Sequence, residues 1–283
     1  PEALPTGRNF YALDASLLPS PTGAAVGREL AQKARAKTLA AGEKDAVILW
    51  ASDAVRDEGA MIAFGLDLLG VEPVWNGRGI IKGLKRLPLS AARPQRRDVL
   101  FTSSGLFRDL YGSQLALLDE AVLLALAASR TTIERDYPAL SYALQQTLAP
   151  VSAQLATENA GPDTVLTDEP LEQNLVARNW VDELRRQLQA QPSADVAELA
   201  QTASLRVFAA APGSYGAGIN RLAERSSAWQ ERSELADVFI RRMGHAYGLK
   251  ERSLSSGSGR QQAYQQQLQA VANTYLGRAS NLY

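Results

Sequence analysis

Two short segments constrain this chain more than any other feature: Ala46-Val47-Ile48-Leu49-Trp50 and Asp98-Val99-Leu100-Phe101-Thr102. Each is almost continuously apolar and partly β-branched over a strand's length, the pattern of a strand buried on both faces. Each then runs into a short polar turn and a helical pattern. Ser52-Asp53 leads a helix over 55–69 closed by Gly70, and Ser103-Ser104-Gly105 leads an amphipathic helix over 106–128. A further helical pattern over 23–41 precedes the first strand. Strand, tight turn and helix repeated in this order predict an α/β fold with a doubly wound, mainly parallel sheet in the N-terminal half.

Between these units, Glu72-Pro73-Val74-Trp75, a turn at Asn76-Gly77 and an irregular strand over 79–87 fill out the first part. The texture changes further on. Helical patterns over 137–155, 171–188, 195–201, 219–223 and 233–247 surround one short strand at Leu205-Arg206-Val207-Phe208. A Gln-rich helix over 261–276 follows the linker-like Ser253-Leu254-Ser255-Ser256-Gly257-Ser258-Gly259. The expected organisation is a Rossmann- or flavodoxin-like α/β domain over 1–135 and a helix-rich part with a short strand over 136–283, the boundary falling within 130–165.

Composition removes several classes of function. Lys and Arg number 30 and Asp and Glu 30, so no global field recruits nucleic acid or an anionic membrane. With no cysteine and one histidine, the chain builds no thiolate zinc site, disulfide framework or multi-histidine centre, and supplies little for a Ser-His-acid triad. No apolar run approaches the roughly 18 residues of a membrane span, and Pro1-Glu2-Ala3-Leu4-Pro5 is no signal peptide, which points to the cytoplasm. Without an initiator methionine the chain reads as a segment of something longer.

Three loops carry residues suited to chemistry. In Thr6-Gly7-Arg8-Asn9-Phe10-Tyr11, the Arg8 fork of donors suits a carboxylate and Asn9 both donates and accepts; a local ion pair and a turn would use the same residues. In Ser104-Gly105-Leu106-Phe107-Arg108-Asp109, the loop stands at the carboxyl end of a parallel strand, where open sheets bind ligands, and Arg108 could hold an anionic group or partner Asp109. In Gly213-Ser214-Tyr215-Gly216-Ala217-Gly218-Ile219-Asn220, the glycines let backbone approach a flat ligand beside Ser214, with Tyr215 as a stacking face and Asn220 as a polar contact; a helix-starting turn explains them equally. That loop lacks the Lys-Ser/Thr of a nucleotide triphosphate loop and the spacing of a dinucleotide fingerprint, so the chain is expected to bind no ATP. Glu58, beside Asp53 and Asp57, and the lone His245 are the only metal-ligand candidates, each with a structural explanation beside it.

Together these runs resemble successive blocks of the large tetrapyrrole-binding subunit of the cobalt and magnesium chelatases. The blocks are Leu4 to Asp14, Val47-Ile48-Leu49-Trp50 with Arg56-Asp57-Glu58-Gly59, Leu69 to Val74, Ser104 to Asp109, Arg206-Val207-Phe208, Gly213 to Asn220 and His245-Ala246-Tyr247-Gly248, in that order. The Pro-Thr-Gly-Arg-Asn run favours cobalt over magnesium. Residues 130–160 match poorly, and His245 departs from the usual pattern. The resemblance implies one part of a multisubunit ligase that forms nitrogen–metal bonds, inactive when isolated. There the tetrapyrrole is held by this subunit, cobalt or magnesium is the metal substrate, and separate AAA+ subunits bind ATP and magnesium. For that substrate the loops offer Arg8, Asn9, Tyr11, Arg108, Asp109, Ser214, Tyr215 and Asn220 as candidate contacts. Relatives in iron and haem uptake loci leave another tetrapyrrole reaction open, as does a purely structural module docking the AAA+ subunits and the rest of the same subunit.

Overall fold

The computed structural model describes residues 15–158, 168–214, 229, 231–250 and 258–277. The two apolar segments form neighbouring parallel strands, β1 (Lys44–Leu49) and β4 (Val99–Ser103), paired from Asp45 with Val99 to Leu49 with Ser103. Between them in sequence, β2 (Val71–Trp75) and β3 (Ile81–Arg86) make a separate antiparallel hairpin. β5 (Val207–Ala209) extends the main sheet parallel to β4, and β6 (His245–Ala246) closes that side antiparallel to β5. On the other side β7 (Val271–Tyr275) pairs parallel with β1, giving the order β6-β5-β4-β1-β7.

The fold is therefore mixed α/β with a mostly parallel five-stranded sheet, which takes strands from both sides of position 135. β5, β6 and β7 all come from beyond that position and complete the sheet begun by β1 and β4. The expected helix over 261–276 is two elements: α12 (Ser258–Gln269) stops at a turn and Val271-Ala-Asn-Thr-Tyr275 becomes β7. Val, Thr and Tyr favour extended backbone, and the Lys44 N–H donates to Ala270 O where the strand begins, so sheet pairing overrides the helical period.

Other helices break where local groups intercept the backbone. The 23–41 pattern yields α1 (Pro21–Ala34), capped by Ser20, whose Oγ accepts from Gly23 N. The 55–69 pattern splits into α2 (Ala51–Arg56) and α3 (Ala60–Leu68), because Asp57 Oδ1 accepts from Gly59 N and Ala60 N while Glu58 and Gly59 take positive φ of 54° and 78°. The 106–128 pattern splits at Tyr111 into α4 (Gly105–Leu110) and α5 (Gly112–Ala127). α5 is buried along almost its whole length rather than amphipathic, since it lies in the core cluster with α1, α3, and both α7 (Ser141–Leu148) and α9 (Leu175–Ala190). α6 (Arg130–Asp136), α8 (Ser152–Glu158), α10 (Val196–Ala203) and α11 (Arg232–Met243) complete the described helices. No single described helix is long and apolar enough to cross a membrane.

The amino-terminal ends of the strands are locked by buried charge. Arg96, Arg97 and Asp98 stand in succession before β4, all nearly inaccessible. Arg96 pairs the Nε–Nη2 edge of its guanidinium with both Glu169 carboxylate oxygens at 2.6 and 2.7 Å and donates to Leu69 O, Gly70 O and Leu87 O. Arg97 pairs bidentately with Asp45 of β1, and Asp98 accepts from Arg206, Lys44 and Asn179. The buried charges at this edge are spent on one another and on backbone carbonyls, which leaves the opposite edge for ligand chemistry.

Candidate functional site

At the carboxyl edge each parallel strand hands over to a turn whose residues are fixed from below. Ser104 caps α4, its Oγ accepting from Phe107 N at 3.2 Å. One turn on, Arg108 is only 7% exposed and its Nη1 donates to the carbonyls of Ala210 (2.6 Å), Ala211 and Ser214 (3.4 Å). Its Nε donates to Asp109 Oδ1 at 2.8 Å. Tyr247, just after β6, donates its hydroxyl to Ala210 O at 2.8 Å. Arg108, Asp109, Tyr247 and the 210–214 turn are thus one assembly, in which Arg108 holds the turn after β5 against the start of α4. Ser214 closes that turn, its N–H donating to Ala211 O across Gly213 at φ 80°.

A different chemistry lies along β7, β1 and β4. Seven large apolar side chains among the described residues are exposed; Trp50 and Leu276 directly follow β1 and β7, Leu106 opens α4 after β4, and Val55 and Leu110 lie near the ends of α2 and α4, the helices that follow β1 and β4. Trp50 follows β1 directly and is 43% exposed. Leu276 follows β7, and Gly277 after it passes so close to β1 that a Cβ would clash with Ile48 O and stand 3.3 Å from the Trp50 ring. An apolar rim of this kind, beside a polar turn, is the ordinary signature of a binding surface.

The remaining candidates separate. Glu58 accepts from Ser20 Oγ and, through its carbonyl, from Ser20 N, so it stitches the chain before α1 to the α2–α3 turn. Its neighbour Asp57 is pushed up to about 6, chiefly by burial. His245 faces Ala209 across the β5–β6 pair, far along the sheet order from Glu58. Among the described residues no three His, Cys, Asp or Glu side chains gather as metal ligands, so the Glu58 and His245 candidates do not form a centre there. Arg8, Asn9, Tyr11, Tyr215 and Asn220 lie outside the described residues. The position of Trp50 one residue past a buried parallel strand is the sign in the sequence that it belongs to the edge.

Comparison with known proteins gives this edge its context. The family described as CobN/Magnesium Chelatase matches residues 1–283. A magnesium-chelatase subunit from Rhodobacter capsulatus is 31% identical over 248 residues, covering 88% of this chain and 17% of that protein. The aerobic cobaltochelatase subunit CobN of Pseudomonas aeruginosa is 31% identical over 252 residues, covering 87% and 17%. Among solved structures, the catalytic subunit of cobaltochelatase from Mycobacterium tuberculosis shares the fold, with a TM-score of 0.66 at 24% identity over 95% of this chain and 19% of that one. The chain spans about one sixth of the length of these curated relatives. With the full length of the chain matched, this protein belongs to the CobN/magnesium chelatase family.

Proposed function

We propose that the chain is a segment of the large subunit of a cytoplasmic, ATP-dependent metal chelatase and that its carboxyl sheet edge receives part of a tetrapyrrole. Cobalt is the favoured metal and magnesium the second, with ATP and its magnesium on separate AAA+ subunits. The observation that carries the reading is the exposed apolar rim of Trp50, Leu106, Leu110 and Leu276 beside the turn held by Arg108. A macrocycle presents a wide flat apolar face ringed by carboxylates or amides, and an indole beside leucines suits the face. Arg8, Asn9, Tyr11, Ser214, Tyr215 and Asn220 are the proposed polar contacts at the periphery. Arg108 and Asp109 act by positioning the 210–214 turn, because the guanidinium is already occupied by carbonyls and Asp109.

That occupation also favours a second reading, in which the segment frames a cavity formed elsewhere and docks the AAA+ subunits. Titration with a free-base tetrapyrrole separates the two. Saturable Soret shifts at micromolar concentration, weakened up to about tenfold by Trp50→Ala, support substrate contact. An unshifted Soret band across that range sinks it and leaves the framing module.

A further inference from the structure

The two faces of the sheet are covered unequally. One carries α1, α3 and α5 with α7 and α9 packed behind them, whereas the other, among the described residues, buries Leu100, Leu205, Phe208, Ala210, Met243 and Tyr264 beneath α11 and α12. Between those two helices runs an open groove of about 430 Å³ lined by Leu235, Phe239, Ile240 and Leu268, with Gln265 and Gln269 at its rim. These apolar side chains remain only half-buried, and Phe239 reaches the core through Tyr264, with ring centroids 6.2 Å apart.

The rim discriminates between occupants. From Gln261 to Gln269, α12 carries no charge, and its outer positions are glutamines. The centres of protein–protein contacts are depleted of charge because each ion buried there must be desolvated, whereas amides hydrogen-bond at lower cost. An anionic macrocycle would instead need cationic donors on both walls. The apolar stripe Leu235-Ala236-Phe239-Ile240 against Leu268 has the spacing that receives a helix laid into a groove. Source material for such a helix is ample, since the chain corresponds to 17% of the length of the Rhodobacter capsulatus relative.

We infer that the α11–α12 groove is an internal docking surface that takes the apolar face of a helix from the part of the large subunit lying outside these 283 residues. The inference rests on reading the chain as one segment of such a subunit, and its test needs neither substrate, metal nor ATP. In the full-length subunit, Phe239→p-benzoylphenylalanine is irradiated and the cross-linked peptide is sequenced. A cross-link to the same polypeptide outside this segment is expected. A cross-link to a second copy, or to an AAA+ subunit in the assembled complex, overturns the inference. In a full-length subunit whose other cysteines have been replaced by serine, Leu235→Cys gives an independent check, since this chain contributes no cysteine of its own. Its thiol should label about tenfold more slowly in the full-length subunit than that of Tyr142→Cys, which marks an exposed site. Equal labelling rates overturn docking even if the first variant misfolds. A subunit that cross-links as expected yet inserts no metal when assembled with its AAA+ subunits, ATP and a tetrapyrrole sinks the chelatase reading and leaves the groove assignment standing.

Discussion

Asp57 shows how a single side chain at this edge is caught between two demands. Its Oδ1 accepts the backbone N–H groups of Gly59 and Ala60 and so starts α3, while its Oδ2 is buried without a partner. Burial pushes the carboxyl up to about 6, against an unfolded value near 3.8. A carboxyl whose pKa is raised on folding contributes stability below the unfolded pKa and loses it as pH rises through the folded one. Asp57→Asn keeps the capping oxygen and removes the charge. It should therefore raise the unfolding free energy read from urea titration at pH 8 by roughly 1 kcal/mol, after allowance for solvent screening, and leave it unchanged near pH 4. A variant less stable than the parent at pH 8 would mean that the ionised form is the one the fold requires. Glu58 beside it takes left-handed backbone, uncommon for a residue with a side chain, and its bond to Ser20 gives that geometry a purpose. The acidic run offered Glu58 as a metal-ligand candidate beside a structural explanation; in the structure Asp57 starts α3 and Glu58 anchors the chain before α1, because which oxygen meets which N–H depends on the backbone path.

Among the elements, β7 is the one whose identity depends most on its neighbours. Its last turn closes at Gly277, with φ 71° and no room for a Cβ, because the chain passes directly over the Ile48 carbonyl. Gly42 offers the matched control, with φ 89° and nothing within 4 Å of a built Cβ. Gly42→Ala should cost about 1–2 kcal/mol from backbone strain alone. Gly277→Ala should cost more, roughly 2–4 kcal/mol, and speed hydrogen exchange in β7 selectively, since it adds a steric clash to the same strain. Equal costs for the two would show that Gly277 is not pressed against β1. The buried strands β1 and β4 were legible in the sequence because continuous apolar runs permit little else. β7 was not, since Val271-Ala-Asn-Thr-Tyr275 continues the helical period of the glutamines before it, and only pairing with β1 extends it. The breaks at Asp57 and Tyr111 were hidden for the same reason: apolar spacing passes through them unchanged.

At the scale of the whole molecule the sheet has one edge locked by buried charge and an opposite edge that carries exposed apolar side chains. The lock centres on Asp98, which joins β4 to Lys44 of β1, Arg206 before β5 and Asn179 of α9, while Gln267 of α12 donates to Glu183 beside them. Burial alone would raise the Asp98 carboxyl, yet Arg206 and Lys44 hold it at about 2. Lys44 is itself lowered by burial, with Arg206 adding to the effect, so the bidentate Arg206 contact is the stronger anchor. A depressed carboxyl contributes stability above its unfolded pKa and loses it as pH falls, here between 3.8 and about 2. Asp98→Asn leaves two cations buried together and should cost about 3–5 kcal/mol at pH 7, read from urea unfolding, with a shallower loss of stability below pH 4 than the parent. A cost below about 1 kcal/mol would show that the cluster does not bind the elements together. From the sequence alone came the α/β class, the two central strands, the absence of a cysteine or multi-histidine centre and the family, because each is written in local pattern, composition or ordered motifs. Only the tertiary structure decided that one sheet gathers strands from both halves, that Arg108 serves the backbone of the 210–214 turn, and that Trp50 and Leu276 share an exposed rim. Those facts depend on residues distant in sequence meeting in space, and no local period carries that information.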